Sequence, residues 1–489
     1  MNKMKYILPV LFLLVSFNTF GQVVKFEKVY GGSGYDYGNS VIQVFDKGYV
    51  VAGNTTSYGS GNNDVYLIKT DSNGYTQWQR TFGGINVDQS FSVKQTRDSG
   101  LVVAGYTNSF GHGGYDMYVI RTDRNGDTLW TKTYGGSNWD FAYSIDTTND
   151  GGFIVAGGTY SYGKGDEDMY LVKLNAIGDT LWTKTYGGLH QEEIASVHQT
   201  ADSGYIFTGE TKSFEDSIAG DIYIVKTNTL GDTTWTKSYG SSGEDKGSCI
   251  IQKRDGGYAI AATLFNTALH KNQSYIMSTN QNGDTLWTQQ SGVPNNALAN
   301  SVVQANDNGL VWAGQLNLGG QNDIYFKKFD AGGNYGFATT FGVFNGEENA
   351  YGLEQTADRG YIIVGNTNGT GYGLNDVLLI KTDSLGYSTG TIVIGISEFI
   401  APIEGVSINP NPFSENATVE MKLPTNFTKV SFKIFDSFGQ EMNQYSILSS
   451  LNGQKMTFDL NGRTLASGLY YLQINSNENI ICRKFIVQH

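Results

Sequence analysis

Two sets of carboxylates recur along this sequence, in most cases 52 or 53 residues apart. The first set opens apolar runs such as DVYLIKT and contains Asp64, Asp116, Asp168, Asp221, Asp323 and Asp376. The second set follows Gly-rich segments and contains Asp36, Asp88, Asp140, Glu192, Asp245 and Glu347. Hard cations bind carboxylate and carbonyl oxygens, so these side chains could form a Ca²⁺-binding or polar ligand face. The candidate metal ligands are Asp36, Asp64, Asp88, Asp116, Asp168 and Asp221.

A structural role for the same carboxylates is the alternative. Each one could accept hydrogen bonds from backbone N–H groups or Ser and Thr hydroxyls and so hold its own loop. Recurrence in almost every repeat favours this interpretation, because a specific binding site usually breaks the symmetry of a repeat. No cofactor is required by the sequence, and Ca²⁺ stays the one candidate ion.

Aromatic residues give a second group of candidates. Five tryptophans share one repeat position, which indicates packing between repeats; they are Trp78, Trp130, Trp182, Trp235 and Trp287. Trp139 and Trp312 stand outside that series, and Trp139 adjoins Asp140. Tyr35, Tyr115 and Tyr162 occur in similar segments. If a glycan or peptide binds, we expect the site to include Trp139, Asp140, Tyr35, Tyr115 and Tyr162.

No catalytic residue is predicted. The five histidines fall at unrelated repeat positions, whereas a zinc site needs ligands that converge. Neither a G-x-S-x-G motif nor a phosphate-binding loop is present, because the Gly-rich segments precede strands and not helices. The sequence therefore favours a non-enzymatic protein.

The candidate residues are positioned by seven copies of one all-β unit. An Asp-x-Gly turn recurs in every copy, from Asp46-Lys47-Gly48 to Asp358-Arg359-Gly360, and apolar runs flank it. A second turn, Asp/Asn-x-x-Gly, recurs from Asp71 to Gly386. Glycine supplies the positive φ that such tight turns need. Each copy is thus predicted to contain four antiparallel strands, which is typical of a β-propeller blade.

The two ends of the repeat region complement each other. The seventh copy lacks the aromatic fourth strand, and the segment from Val24 to Gly32 (VKFEKVYGG) matches the fourth strand TLWTKTYGG of the internal copies. An N-terminal strand that completes the last blade would close a ring and remove its open edges. The predicted fold class is all-β: a seven-bladed β-propeller with this closure, followed by a small β-sandwich.

Domain boundaries follow from changes in composition. Lys3 and Lys5 precede an apolar run from Tyr6 to Phe17, so residues 1–21 are predicted to be a signal peptide that is cut after Gly21. Residues 22–395 are assigned to the propeller, 396–405 to a linker and 406–489 to the sandwich. No segment is long enough to be transmembrane. A net charge of −13 without a Lys/Arg cluster argues against a nucleic-acid partner.

The chain has two cysteines, Cys249 and Cys482, and no disulfide between them is predicted. Cys249 falls where most other repeats are expected to carry Val or Ile, so it is interpreted as a small apolar residue.

The C-terminal region resembles the type A sorting domain of the type IX secretion system of Gram-negative bacteria. The matching segments are INPNPF (408–413), VSFKIFDSFGQEM (430–442), ASGLYYLQI (466–474) and RKFIV (483–487). The resemblance implies that residues 406–489 are an export address recognised by the type IX machinery. It also implies an extracellular protein that is either released or attached to the outer-membrane surface.

The repeat region resembles the tandem-repeat propeller proteins that often precede such sorting domains, which supports the fold more than a function. The motif Asp123-x-x-Gly126-x-Thr128-x-Trp130 also resembles the Asp-box turn of sialidase-type propellers. The arginines, however, lie at non-equivalent repeat positions, so no sialidase activity is inferred. The predicted function is a secreted or cell-surface binding protein with an unknown glycan or protein ligand. A secreted hydrolase or lyase that acts on polysaccharide is the alternative, and a purely structural role is a third.

Overall fold

A computed structural model describes residues 24–214, 219–291, 295–318, 320–342, 346–369, 371–389, 407–422, 430–436, 449–452, 455–461, 463, 465–476 and 479–489. The predicted signal peptide and the predicted linker lie outside these residues. The described residues form 35 β-strands and contain no α-helix.

Seven four-stranded antiparallel sheets make up the repeat region, which confirms the predicted propeller. Blades one and two contain β2 (Asp36–Gln43), β3 (Tyr49–Thr55), β4 (Asp64–Thr70), β5 (Thr76–Phe82), β6 (Asp88–Gln95), β7 (Leu101–Thr107), β8 (Asp116–Thr122) and β9 (Thr128–Tyr134). Blades three and four contain β10 (Asp140–Thr147), β11 (Phe153–Thr159), β12 (Asp168–Leu174), β13 (Thr180–Tyr186), β14 (Glu192–Gln199), β15 (Tyr205–Thr211), β16 (Asp221–Thr227) and β17 (Thr233–Tyr239).

The other three blades follow the same order. Blades five and six contain β18 (Lys246–Gln252), β19 (Tyr258–Asn266), β20 (Lys271–Thr279), β21 (Thr285–Gln290), β22 (Ala297–Gln304), β23 (Leu310–Leu318), β24 (Gln321–Phe329) and β25 (Tyr335–Phe341). Blade seven contains β26 (Glu348–Gln355), β27 (Tyr361–Thr367), β28 (Asp376–Thr382) and the N-terminal β1 (Phe26–Tyr30).

The ring is closed by strands from both ends of the repeat region. β1 pairs antiparallel with β28, in a register that sets Phe26 opposite Lys381 and Tyr30 opposite Val377. β2 of blade one packs against β26 and β27 of blade seven, so each sheet has a neighbour on both sides. The predicted closure by the N-terminal strand is therefore confirmed, and it covers the edge of β28 that would otherwise be exposed.

Burial differs between the strands of a blade as the apolar pattern predicts. Every residue of β3 and β4 is buried, because neighbouring blades cover both faces of these strands. The fourth strand, for example β9, is exposed or half-buried throughout. The first strand of each blade is innermost and has a one-residue bulge, at Asn39 in blade one and at the equivalent position in the other six.

The C-terminal region has two sheets. One contains β29 (Ser407–Asn409), β30 (Asn416–Lys422), β33 (Lys455–Asn461) and β32 (Ser449–Asn452); the other contains β31 (Val430–Asp436), β34 (Gly468–Ser476) and β35 (Asn479–Val487). Val419 and Phe458 of the first sheet share a core with Ile434 and Leu472 of the second. This common core is typical of a sandwich.

Candidate functional site

Aromatic side chains of blades two and three form one connected cluster, which we call the aromatic surface. Its members are Tyr106, Tyr115, Trp139, Phe141 and Tyr160. Trp139 is 48% exposed, and the other four are partly buried. Ring centroids lie between 5.0 and 6.4 Å apart, mostly edge to face, which is a favourable geometry for aromatic pairs.

The strand ends bring these rings together. Trp139 directly precedes β10 and Phe141 is its second residue, while Tyr115 directly precedes β8. Tyr106 is near the end of β7, and Tyr160 directly follows β11. All five therefore lie at the same end of two neighbouring sheets. Phe91 and Tyr143, at the bulges of β6 and β10, extend the cluster inwards, with their centroids 5.4 Å apart.

A polar network borders the aromatic surface on the side of blades four and five. Tyr160 donates its hydroxyl to Glu167 Oε2 at 2.9 Å, and Gln191 Nε2 donates to the same oxygen at 2.9 Å. Lys212 Nζ donates to Gln191 Oε1 at 3.2 Å. Lys246 pairs with Glu193 at 3.2 Å. Burial raises the pKa of Glu167, and the negative charge of Glu193 acts in the same direction.

Of the residues predicted to bind a ligand, the structure brings Trp139 and Tyr115 into contact and separates Tyr35 and Tyr162 from them. Tyr35 stacks on Tyr37 in blade one, with centroids 6.4 Å apart. Tyr162 packs on Tyr170 and donates its hydroxyl to the carbonyl of Gly135. Among the described rings, neither Tyr35 nor Tyr162 contacts the aromatic surface. The packing contact of Tyr162 recurs in three other blades, where it is made by Tyr58, Phe110 and Phe214. Tyr162 is therefore part of the repeated structure.

Sequence reasoning missed three members of the aromatic surface: Tyr106, Phe141 and Tyr160. A signal was present, since the repeat does not fix the position of Phe141, which is Tyr37, Gln89 and Glu193 in blades one, two and four. Aromatic residues at such variable positions of two neighbouring blades would have pointed to this surface.

The second set of carboxylates accepts hydrogen bonds from its own loops. Asp36 Oδ2 accepts the Gly32 N–H at 2.8 Å and the Ser57 hydroxyl at 2.6 Å, and Oδ1 accepts the Thr55 hydroxyl. Asp88 and Asp140 have the equivalent partners in blades two and three. All three are fully buried. Asp140, next to Trp139 in the chain, is therefore part of the loop scaffold.

Asp64, Asp116, Asp168 and Asp376 of the first set of carboxylates accept hydrogen bonds from backbone N–H groups. Asp64 Oδ2 accepts from Ser60 and Gly61, at 3.0 and 2.9 Å, and Asp116 and Asp168 repeat this arrangement. Burial raises the pKa of Asp64, and the nearby charge of Asp88 adds to the shift. The candidate metal ligand Asp221 is likewise buried. Among the described residues, no group of three or more His, Cys, Asp or Glu side chains is arranged to hold a metal ion.

One glycine lies between the two carboxylates at most of these junctions. A Cβ on Gly83 would lie 2.2 Å from Asp64 Oδ1 and 2.7 Å from Asp88 Oδ2. Gly31, Gly135 and Gly187 have the same environment at other junctions. The carboxylates thus approach the chain so closely that only glycine fits there.

The structure shifts two predicted positions by one residue. Glu348, and not Glu347, is the buried carboxylate of blade seven, and it accepts the Thr367 hydroxyl at 2.6 Å. The two consecutive glutamates made this assignment ambiguous, and Glu347 is exposed. Cys249 takes the place of Ser40 and Ser92 in the repeat, and not of Val or Ile, because the bulge offsets the register. Cys249 is a free thiol, and the side chain of Cys482 lies outside the described residues.

The tryptophans pack as predicted. Trp130 of blade two contacts Phe153 of blade three, with centroids 6.2 Å apart, and Trp182 contacts Tyr205 of blade four at 5.8 Å. Trp312, outside the series, is 1% exposed and packs on Tyr325 in the core of blade six. Trp312 therefore belongs to the hydrophobic core, whereas Trp139 is exposed to solvent.

The sorting-domain resemblance is matched by a family model. Residues 407–488 match the family described as a secretion system C-terminal sorting domain. The regulatory protein FlaEY of Caulobacter vibrioides is 26% identical over 186 residues, which cover 32% of this chain and 20% of that protein. The chain thus spans about a fifth of the length of the curated relative that it matches.

Solved structures that align with this chain share little of its sequence. The β-propeller domain of the Trilobed protease from Pyrococcus furiosus is 9% identical, with a TM-score of 0.40, over 77% of this chain and 100% of that chain. Sqt1 from Chaetomium thermophilum is 10% identical, with a TM-score of 0.43, over 72% of this chain and 97% of that chain. A puromycin hydrolase is 10% identical, with a TM-score of 0.47, over 82% of this chain and 63% of that chain.

Among the described residues, no helix is long and apolar enough to cross a membrane. The seven sheets and their closure define the fold of the repeat region. The family match indicates that the protein is exported, because a sorting domain of this kind directs export by the type IX machinery. The chain is therefore a tandem-repeat β-propeller protein that carries a type IX secretion system C-terminal sorting domain and is secreted or attached to the cell surface.

Proposed function

We propose that the propeller is a carbohydrate-binding module and that the aromatic surface is its binding surface. The observation that carries this proposal is Trp139, the one exposed tryptophan among the described residues, which Tyr115 and Tyr160 contact edge to face. Rings that pack against each other in the free protein lose little conformational entropy when a sugar stacks on them. The adjacent Gln and Lys side chains supply hydrogen-bond donors for sugar hydroxyls.

Polysaccharide hydrolysis is less well supported by the same geometry. A glycosidase needs two carboxyl groups that flank the scissile bond and reach the substrate. Glu167 is the carboxylate bonded to the aromatic surface, but it is 3% exposed and its Oε2 is occupied by Tyr160 and Gln191. These contacts suit a group that orients its neighbours. The binding of a protein ligand is a further possible outcome of the experiment below.

The test is isothermal titration of the secreted chain with a panel of soluble oligosaccharides. We expect one class to bind, and we expect Trp139→Ala and Tyr115→Ala each to weaken binding about tenfold, which corresponds to about 1.4 kcal/mol. Leu129→Ala is the matched control, because Leu129 is 57% exposed on the outer strand β9. Equal affinity in Trp139→Ala and the parent chain would exclude this surface, and binding only to a protein ligand would exclude carbohydrate.

A further inference from the structure

The innermost strands of all seven blades enclose a cavity of about 440 Å³. It extends from the bulge residues, such as Asn39, to the hairpins that follow the first strands, such as the one at Phe45. Phe45 follows β2 whereas Trp139 precedes β10, so the cavity reaches the end of the first strands opposite to Trp139. Phe91 and Tyr143 lie between the cavity and the aromatic surface.

At one depth of this cavity, which we call a level, the side chains differ from blade to blade. Six of the seven blades carry glutamine at the position equivalent to Gln43, and five carry serine at that of Ser40. The residues at the position between them, equivalent to Ile42, are Ile42, Lys94, Asp146, His198, Ile251, Val303 and Glu354. Four titratable side chains therefore share one level with three aliphatic ones. Six of the seven line the cavity, and the seventh, Asp146, contacts Lys94 and His198 behind it.

The charged residues of blades two to four form a connected group. His198 Nδ1 donates to Asp146 Oδ2 at 2.9 Å, and the Gln199 N–H donates to the same oxygen at 3.0 Å. Although burial opposes ionisation, Lys94 and His198 lower the pKa of Asp146 to about 2. Asp146 is therefore an ionised, fixed group that positions its neighbours.

The ammonium of Lys94 is held loosely. Its contact with Asp146 Oδ1 measures 3.9 Å, beyond the length of a hydrogen bond. The side chain is 38% exposed, although it lies in the cavity. Three N–H donors are thus available to a ligand. Glu354, on the other side of Ile42, accepts the Gln43 N–H at 2.5 Å. Burial raises the pKa of the Glu354 carboxyl, and the Gln43 N–H and the charge of Lys94 oppose that shift.

We propose that this cavity is a second binding site, which takes a free amino acid with an aliphatic side chain. The ligand carboxylate would pair with Lys94 and the ligand ammonium with Glu354, while its side chain packs against Ile251 and Val303. Opposite charges on two walls recognise a zwitterion, and an apolar wall adds affinity for an aliphatic group. This proposal does not depend on carbohydrate binding at the aromatic surface.

The test is isothermal titration of the secreted chain with L-leucine, and with 4-methylpentanoate and 3-methylbutylamine, which each lack one charge. We expect leucine to bind at least tenfold more tightly than either analogue. Lys94→Met should bind leucine no more tightly than the parent chain binds 3-methylbutylamine. Glu354→Gln should bind leucine no more tightly than the parent chain binds 4-methylpentanoate. Lys132→Met is the control, because Lys132 lies on the outer strand β9.

Further results test whether the cavity binds leucine independently of the aromatic surface. Trp139→Ala should leave leucine binding unchanged, which separates this site from the aromatic surface. Absence of leucine binding to folded protein at millimolar concentration would overturn the proposal. The proposal would also be overturned if the parent chain bound leucine and one analogue equally well. The same holds if Lys94→Met kept both its melting temperature and its affinity for leucine.

Discussion

The indole of Trp139 meets the ring of Tyr115 edge to face, with centroids 6.1 Å apart and planes inclined by 76°. The two residues belong to different blades, because Tyr115 precedes β8 and Trp139 precedes β10. This contact between blades positions an exposed tryptophan over a packed aromatic base, and the surface so formed carries the proposed function.

The two tryptophans outside the repeat series should differ in their effect on stability. Trp312 is 1% exposed, so Trp312→Ala should lower the free energy of unfolding by about 3–5 kcal/mol through loss of core packing. Trp139→Ala should cost about 1 kcal/mol, because that side chain is half exposed. Denaturant unfolding measures both values, and similar losses for the two variants would contradict the difference in their burial.

Closure of the ring should contribute strongly to stability. Phe26 of β1 is 5% exposed and packs on Tyr49 of blade one, with centroids 5.9 Å apart. Phe26→Ala should therefore lower the free energy of unfolding by about 3–5 kcal/mol. Leu129→Ala, an exposed aliphatic truncation, should stay within about 0.5 kcal/mol of the parent chain. If both variants melt at the same temperature, β1 does not hold the ring closed.

Glycine between paired carboxylates should tolerate no side chain. Gly83→Ala would place a methyl group 2.2 Å from Asp64 Oδ1, so we expect a loss of about 1–3 kcal/mol from overpacking. Gly332→Ala is the control, because the nearest atoms to its added Cβ would lie 3.4 Å away. Thermal melting of both variants tests this, and equal melting temperatures would show that the carboxylates move aside without cost.

Asp146 should stabilise the fold in a defined pH range. Its pKa falls from 3.8 to about 2 on folding, despite burial, because Lys94 and His198 favour the ionised form. A depressed folded pKa gives stability that is complete above about pH 4 and is lost as the pH falls towards 2, amounting to about 2 kcal/mol. Asp146→Asn should remove this dependence, whereas Asp127→Asn, at an exposed site, should keep it. Urea unfolding at pH 7, 4 and 3 measures the effect, and parallel pH profiles for Asp146→Asn and the parent chain would refute it.

Asp323 should show the opposite dependence. Burial, together with the negative charge of Glu348, raises its pKa to about 6. In the described part of blade six, no backbone N–H donates to this carboxylate as Ser60 and Gly61 do to Asp64. A raised folded pKa gives stability that is complete below pH 3.8 and is lost as the pH rises through 6. Asp323→Asn should therefore raise the melting temperature at pH 7 and leave it unchanged near pH 3.5; a lower melting temperature at pH 7 would reverse the assignment.

The repeat made most of the fold predictable. Strand number and turn positions follow from glycines that recur in almost every copy. Burial of the middle strands follows from their continuous apolar runs, and closure by β1 follows from its match to the fourth strand of the internal copies. The C-terminal motifs likewise predicted the sorting domain that the family model matches. The position of Cys249 could not be predicted in the same way, because a bulge changes the register without leaving a residue signature.

The candidate sites were decided by tertiary structure. The sequence by itself determined the repeat and the recurrence of the carboxylates, because both are local patterns. It also determined the ring, because the N-terminal strand matches the fourth strand that the last copy lacks. Only the closed ring placed Tyr115 against Trp139. It also placed Lys94, Asp146 and His198 next to each other on one level of the cavity. These residues are about 50 positions apart or belong to different blades, so their contacts depend on how neighbouring sheets pack and not on local sequence.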